Sequence, residues 1–194
     1  MLKRGVDIAL AALLLVVSLP LLAVAAIAIK MDSEGPVLFC QERMGRRFRR
    51  FQIVKLRTMR VGGNGPAFTL SEDPRITRRG RWLRRHKVDE LPQLWNVLCG
   101  EMSLVGPRPE VIPEVLLYTE DEKRLLEVRP GITDWASIRF RNEGEILRGS
   151  ADPHAAYRIK IRPEKIRLGL EYVERHSFWT DCKIIVNTLR AIRE

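Results

Sequence analysis

Ile8 to Ile29 read IALAALLLVVSLPLLAVAAIAI, an uncharged run long enough to cross a hydrocarbon core of about 30 Å as a helix. Three placements compete for it: a cleaved signal peptide, a spanning helix, and a helix that enters the bilayer and returns to the same side. Lys3 and Arg4 before the run, with Ala23-Val24-Ala25 inside it, suit a signal peptide. The strongly basic remainder, with an odd, scattered set of cysteines, suits a secreted domain poorly. Basic residues also follow the run, Lys30 and then Arg43, Arg46, Arg47, Arg49 and Arg50. Positive charge at both ends draws both to the cytoplasmic side. Ser18 and Pro20 lie near the middle, where a missing amide favours a bend and a hydroxyl can satisfy a carbonyl. A bent, re-entrant helix accommodates all of these features, although proline is tolerated in spanning helices too.

After Lys30 the composition turns abruptly from apolar to charged, with no Ser/Gly linker or internal repeat. The expected division is a membrane helix over 1–30 and one catalytic domain over 31–194, a size that one core can serve. The formal charge of +10 calls for anionic partners: nucleic acid, an anionic leaflet or phosphate-bearing substrates. Cys40, Cys99 and Cys182 show no ligand or disulfide spacing, which fits a reducing compartment.

Short apolar and aromatic runs at Val37 to Phe39 and Phe51 to Leu56, bounded by Gly35-Pro36 and Gly45, predict strands with a turn between them. The glycine-rich segment from Val61 to Asp73 predicts a mobile loop and lacks the Gly-Lys-Ser/Thr ending of a nucleotide P-loop. Leu91, Leu94, Trp95 and Leu98 fall on one face of a helix that starts near Pro92 and stops at Gly100. Further helical periods run over Pro113 to Glu127, Pro163 to Arg175 through Ile166, Leu170 and Val173, and Asp181 to Arg193 through Ile185, Leu189 and Ile192. Arg158, Lys160, Arg162, Lys165 and Arg167 suit either a helix lying on anionic lipid or a solvated charged face. The expected class is α+β, mainly helical, with a small β element.

Asp89 and Glu90 precede the helix from Leu91, where unpaired amides stabilise carboxylates or phosphates; an acidic pair there is also an ordinary cap. Arg75, Arg78, Arg79, Arg81, Arg84, Arg85 and Lys87 crowd the segment before them, so both carboxylates are expected to stay ionised. An ionised carboxylate among cations is a usable nucleophile toward a diphosphate. Attack on phosphorus gives an acyl phosphate able to pass its phosphoryl group onward, with a divalent metal and arginines neutralising charge. Gly106-Pro107-Arg108-Pro109 offers one guanidinium on a restricted backbone, or merely a surface turn.

Together these segments closely resemble the small monotopic phosphoglycosyl transferases, the bacterial sugar transferase family. The matching stretches are Lys3-Arg4 with Asp7, the apolar run, Gly35-Pro36-Val37-Leu38-Phe39 with Gln41 and Arg43, Lys55-Leu56-Arg57-Thr58-Met59, and Asp73-Pro74-Arg75-Ile76-Thr77. They continue through Val88-Asp89-Glu90-Leu91-Pro92-Gln93-Leu94-Trp95-Asn96-Val97, Met102 to Pro109, and Arg129-Pro130-Gly131-Ile132-Thr133. The resemblance implies Asp89 as the nucleophile that captures a phosphosugar and releases a nucleoside monophosphate, uridine being the implied nucleoside, before undecaprenyl phosphate takes the phosphosugar in a ping-pong cycle. It implies Glu90 as partner in metal placement or as a base, with Asp89 and Glu90 as ligands of Mg²⁺. Lys55, Arg84, Arg108 and Arg141 would hold phosphates or shape the site. It also implies a monotopic protein of the bacterial inner membrane, with its catalytic domain on the cytoplasmic face, amphipathic surface helices, and a re-entrant helix bent at Ser18 and Pro20.

Departures exist. Leu19 separates Ser18 from Pro20 where some members have them adjacent, and Asp134-Trp135-Ala136-Ser137-Ile138 replaces a glycine and an Ala-Gln pair found in many. The sequence is expected to represent the minimal catalytic form, without a long multispan extension before the run. Two other classes of function compete: a membrane-tethered nucleic-acid binder, which leaves the acidic pair idle, and a membrane phosphatase, in which water replaces the lipid acceptor. The resemblance favours the transferase, with lipid and nucleotide-sugar as partners and no nucleic acid.

Overall fold

The computed structural model describes residues 2–62, 73–150 and 152–193. The chain is mainly helical and opens on a long apolar helix, α1 (Leu2–Asp32). Pro20 lies within α1, and the Ser18 hydroxyl donates to the Leu15 carbonyl at 2.9 Å. The middle of the helix exposes Leu13, Leu14, Val16, Val17, Leu19 and Val24, apolar surface suited to lipid. Strands β1 (Leu38–Met44) and β2 (Arg50–Leu56) form the expected hairpin, with β1 running past Phe39. The predicted loop at Val61 to Asp73 lies mostly outside the described residues.

Helices α2 (Arg78–Arg85) and α3 (Gln93–Cys99) follow. Thr77 caps α2 by accepting from the Gly80 amide, and Gly100 ends α3 in the left-handed region at φ 85°. Two compact units emerge: Met1–Gln41 with Gln52–Gly100, and Glu42–Phe51 with Glu101–Glu194. In the first, Ala25 and Ile29 of α1 pack with Leu56, Leu83 and Val88, flanked by Leu22, Val37 and Leu91. Burial of side chains this size contributes roughly 1.5–3 kcal/mol each for the larger ones. The other end of α1 is tied down as well, because Arg4 donates to the carbonyls of Val97 at 2.7 Å and Leu98 at 3.2 Å.

The second unit contains β3 (Ser103–Val105), α4 (Ile112–Val115), α5 (Glu120–Lys123), β4 (Gly131–Thr133), α6 (Trp135–Arg139), α7 (Glu143–Ile146), α8 (Pro153–Lys160), α9 (Arg162–Arg175) and α10 (Phe178–Arg193). Its core joins Met44, Val115, Tyr118, Leu125, Leu126 and Val173. Strands β3 and β4 pair in parallel, with Ser103 opposite Gly131 and Val105 opposite Thr133. The backbones come so close that a Cβ on Gly131 would lie 2.1 Å from the Gly106 nitrogen.

Three helix readings are corrected. The buried face of α3 is Gln93, Leu94, Asn96 and Val97, whereas Trp95 is 57% exposed. The single helix expected over Pro113 to Glu127 is broken, because Thr119 and Glu122 form a capping box that starts α5 afresh. In α10 the buried positions are Asp181 and Ile184, and Leu189 is 58% exposed.

Candidate active site

Asp89 and Glu90 do not sit at the start of α3. They occupy a short 3₁₀ turn, Val88–Glu90, entered through Lys87 at φ 56° and followed by Leu91 and Pro92. The helix-terminus argument therefore does not apply to them; tertiary packing holds the turn. Val88 anchors it in the core formed with α1, and both carboxylate residues are buried, Asp89 at 7% and Glu90 at 8% exposure.

Two cations that the resemblance named, Lys55 and Arg84, act on the acidic pair, together with Lys87 of the basic run. Lys55, from β2, reaches Glu90 with Nζ 3.1 Å from Oε1. Arg84 is half-buried on α2, where its Nε donates to the Thr58 hydroxyl at 2.8 Å. Arg75 is bound by Asp73, and Arg79 donates to the Ala28 carbonyl. Three members of the arginine crowd are thus committed to internal contacts and do not form a bare basic patch. Thr58, which orients Arg84, was not singled out from the sequence, although it lies within the Lys55 to Met59 segment.

Burial raises the Asp89 carboxyl above its ordinary value of 3.8, and the neighbouring Glu90 raises it further. Lys55, Lys87 and Arg84 pull it down without reversing the direction. Burial likewise lowers the Arg84 guanidinium, against the pull of Asp89, Asp73 and Glu90. Asp89 Oδ1 is buried and has no hydrogen-bond partner among the described residues.

Asp89, Glu90, Lys55 and Arg84 are thus brought together in the first unit. Arg108 and Arg141 belong to the second. The segment carrying Arg108 is gripped by β4 and its approach: Gly106 N–H donates to the Thr133 carbonyl at 3.1 Å, and Gly131 N–H to the Pro107 carbonyl at 3.0 Å. Ser18 and Pro20 remain within α1, distant in sequence from this chemistry.

A buried carboxylate pair, with Lys55 on Glu90 and Arg84 nearby, thus lies on a turn packed against a long apolar helix. Residues 1–194 match the bacterial sugar transferase family, and the chain belongs to it. Among its relatives, an undecaprenyl-phosphate glucose phosphotransferase of Komagataeibacter xylinus is 43% identical over 97% of this chain and 35% of its own length. A UDP-glucose:undecaprenyl-phosphate glucose-1-phosphate transferase of Caulobacter vibrioides is 40% identical over 98% of this chain and 69% of its own. A UDP-N-acetylgalactosamine-undecaprenyl-phosphate N-acetylgalactosaminephosphotransferase of Aeromonas hydrophila is 37% identical over 98% and 43%. The chain thus spans less than half the length of two of these three.

Proposed function

We propose that the protein transfers a sugar 1-phosphate from a uridine diphosphate sugar to undecaprenyl phosphate at the cytoplasmic face of a bacterial inner membrane. The observation that carries this reading is the buried Asp89 carboxylate, one oxygen of which has no partner among the described residues, set among Glu90, Lys55 and Arg84. An Asp89 oxygen attacks the phosphorus that bears the sugar. The bond from that phosphorus to the bridging oxygen breaks, and its electron pair leaves with uridine monophosphate. An oxygen of undecaprenyl phosphate then attacks the same phosphorus and releases the carboxylate, which completes a ping-pong cycle. Lys55 holds Glu90 in place, and Arg84 faces the charge gathered on the donor phosphates. In the same reading Arg108 and Arg141 serve as phosphate-binding or site-shaping groups.

Mg²⁺ belongs to this reading. Among the described residues no group of three or more His, Cys, Asp or Glu side chains gathers. Mg²⁺ needs no such cage, since one or two carboxylates plus substrate phosphates and water suffice. Asp89 and Glu90 meet that demand, with Asp89 Oδ1 able to donate a lone pair. Bound there, the ion would neutralise phosphate charge.

The re-entrant placement of α1 is part of the proposal. A helix of this length measures about 46 Å if straight. Its beginning is bound by Arg4 to α3, and its end is bound through Ala28 and Asp32 to Arg79 of α2. A spanning helix would carry these ends to opposite faces of a core about 30 Å thick. Ser18 and Pro20 supply the bend. In intact cells, a Leu2→Cys variant is expected to resist impermeant thiol reagents applied from the periplasm; labelling from that side would exclude the re-entrant helix.

Turnover is tested with a panel of uridine diphosphate sugars, undecaprenyl phosphate and Mg²⁺, scored for uridine monophosphate and lipid-linked product. Lipid-dependent release is expected. Free sugar phosphate formed without lipid would instead make the protein a hydrolase.

A further inference from the structure

Asn96 is an uncharged residue, 1% exposed, on the buried face of α3. Strand β2 pairs with β1 along one edge. Along the other, the Gln52 carbonyl and the Val54 amide form the (i, i+2) set that a further strand would engage. Asn96 takes that place: Nδ2 donates to the Gln52 carbonyl at 2.7 Å, and Oδ1 accepts from the Val54 N–H at 3.1 Å. A carboxamide has the donor and acceptor of a peptide group, so one side chain meets both demands, and the opposite amide orientation would meet neither.

Lys55 is the next residue along β2, and its ammonium lies on Glu90. Glu90 in turn lies just before α3, the helix that carries Asn96. The clamp therefore fixes the strand bearing the lysine against the helix following the carboxylates, one residue from the lysine itself. A shift by one residue along a strand sends every side chain to the opposite face. A lysine on four flexible carbons cannot define its own position.

We infer that Asn96 is a positioning residue whose carboxamide locks β2 to α3, so that Lys55 comes to rest on Glu90 beside Asp89. Its catalytic consequence rests on the proposed function. Its structural consequence does not.

The test uses the full chain in lipid nanodiscs, with Asn96→Ala, Asn96→Asp, Lys55→Met and the Asn96→Ala/Lys55→Met double variant. Amine acetylation is followed at single lysines by peptide mass spectrometry. In Asn96→Ala, Lys55 should be acetylated several-fold faster, while exposed Lys183 is unchanged. Asn96→Ala should also lower kcat by about 10- to 100-fold, the scale of a small misplacement, with little change in donor KM. In the Lys55→Met background the same change should cost almost nothing further, because its effect runs through the lysine. Unchanged Lys55 acetylation, or losses that multiply in the double variant, would overturn the inference. If Asn96→Ala does not fold, Asn96→Asp, which keeps an acceptor for Val54 but loses the donor to Gln52, carries the same readouts. A wild-type protein inactive toward every uridine diphosphate sugar would remove the proposed activity, and the acetylation comparison would still decide the placement.

Discussion

Asp89→Asn is expected to abolish turnover and the covalent phosphosugar adduct while making the folded protein more heat-resistant. The carboxamide is nearly isosteric but cannot attack phosphorus, and losing a nucleophile typically costs about 10⁴-fold or more in rate. The gain in stability follows from the direction of the Asp89 shift. Burial, then Glu90, places the folded carboxyl above its ordinary 3.8, so the folded state binds that proton more tightly than the unfolded chain. The resulting stabilisation is complete below the unfolded value and is lost as pH rises through the folded one. Above the folded value the ionised carboxylate is therefore a standing cost, and the amide removes it. Thermal unfolding in detergent and intact-mass analysis of donor-treated protein read the two effects separately. Wild-type turnover should also fall on the acid side as Asp89 takes up its proton. Glu90→Gln should move that limb to lower pH in whatever rate remains, because a neighbouring negative charge is gone. An Asp89→Asn protein that still carries the phosphosugar would end the nucleophile assignment.

What could be read from the sequence depended on whether the controlling interaction was local. The apolar run gave α1 directly, since composition over such a length leaves little alternative to a helix. The hairpin was legible from two β-rich runs around Gly45. Asp89 and Glu90 were legible as a chemical pair, but their surroundings were not. Periodicity placed them at a helix start, whereas Lys87 in the left-handed region and the packing of Val88 on α1 create a separate 3₁₀ turn. Charge density suggested a crowd of arginines holding two ionised carboxylates. The structure commits Arg75 to Asp73 and Arg79 to α1, and the contact to Glu90 comes from Lys55 on β2. Burial then outweighs the cations at Asp89, a balance that only three-dimensional packing sets. Trp95 fitted the apolar period of α3 yet points outward, because Gln93 and Asn96 take the interior. A polar side chain clamped to a strand edge leaves no trace in hydrophobic periodicity.

Gly80→Ala should be strongly destabilising, although it lies inside α2, where the exchange ordinarily favours the helix by roughly 1 kcal/mol. Its φ carries no special demand; the obstacle is space. A Cβ at this position would stand 2.1 Å from the Thr58 carbonyl oxygen and 2.8 Å from the Thr58 Cα. These are backbone atoms, and the Thr58 carbonyl also accepts from the Thr77 N–H at 3.1 Å, so it cannot turn aside without losing the bond beside the α2 cap. Overpacking of this kind costs about 1–3 kcal/mol and occasionally more, enough to exceed the propensity gain. The same contact couples stability to chemistry. Pushing α2 away from Thr58 draws Arg84 Nε off the threonine hydroxyl, which it meets at 2.8 Å, and so moves a cation that acts on Asp89. Gly80→Ala should therefore unfold at lower temperature, and the fraction still folded should turn over slowly. Thr58→Val offers the complementary case: it removes the hydroxyl that holds Arg84 but leaves Gly80 uncrowded, so activity should fall with a much smaller change in unfolding temperature. If Gly80→Ala were as stable and active as the wild type, α2 would not lie against Thr58, and the placement of Arg84 would have to be reconsidered.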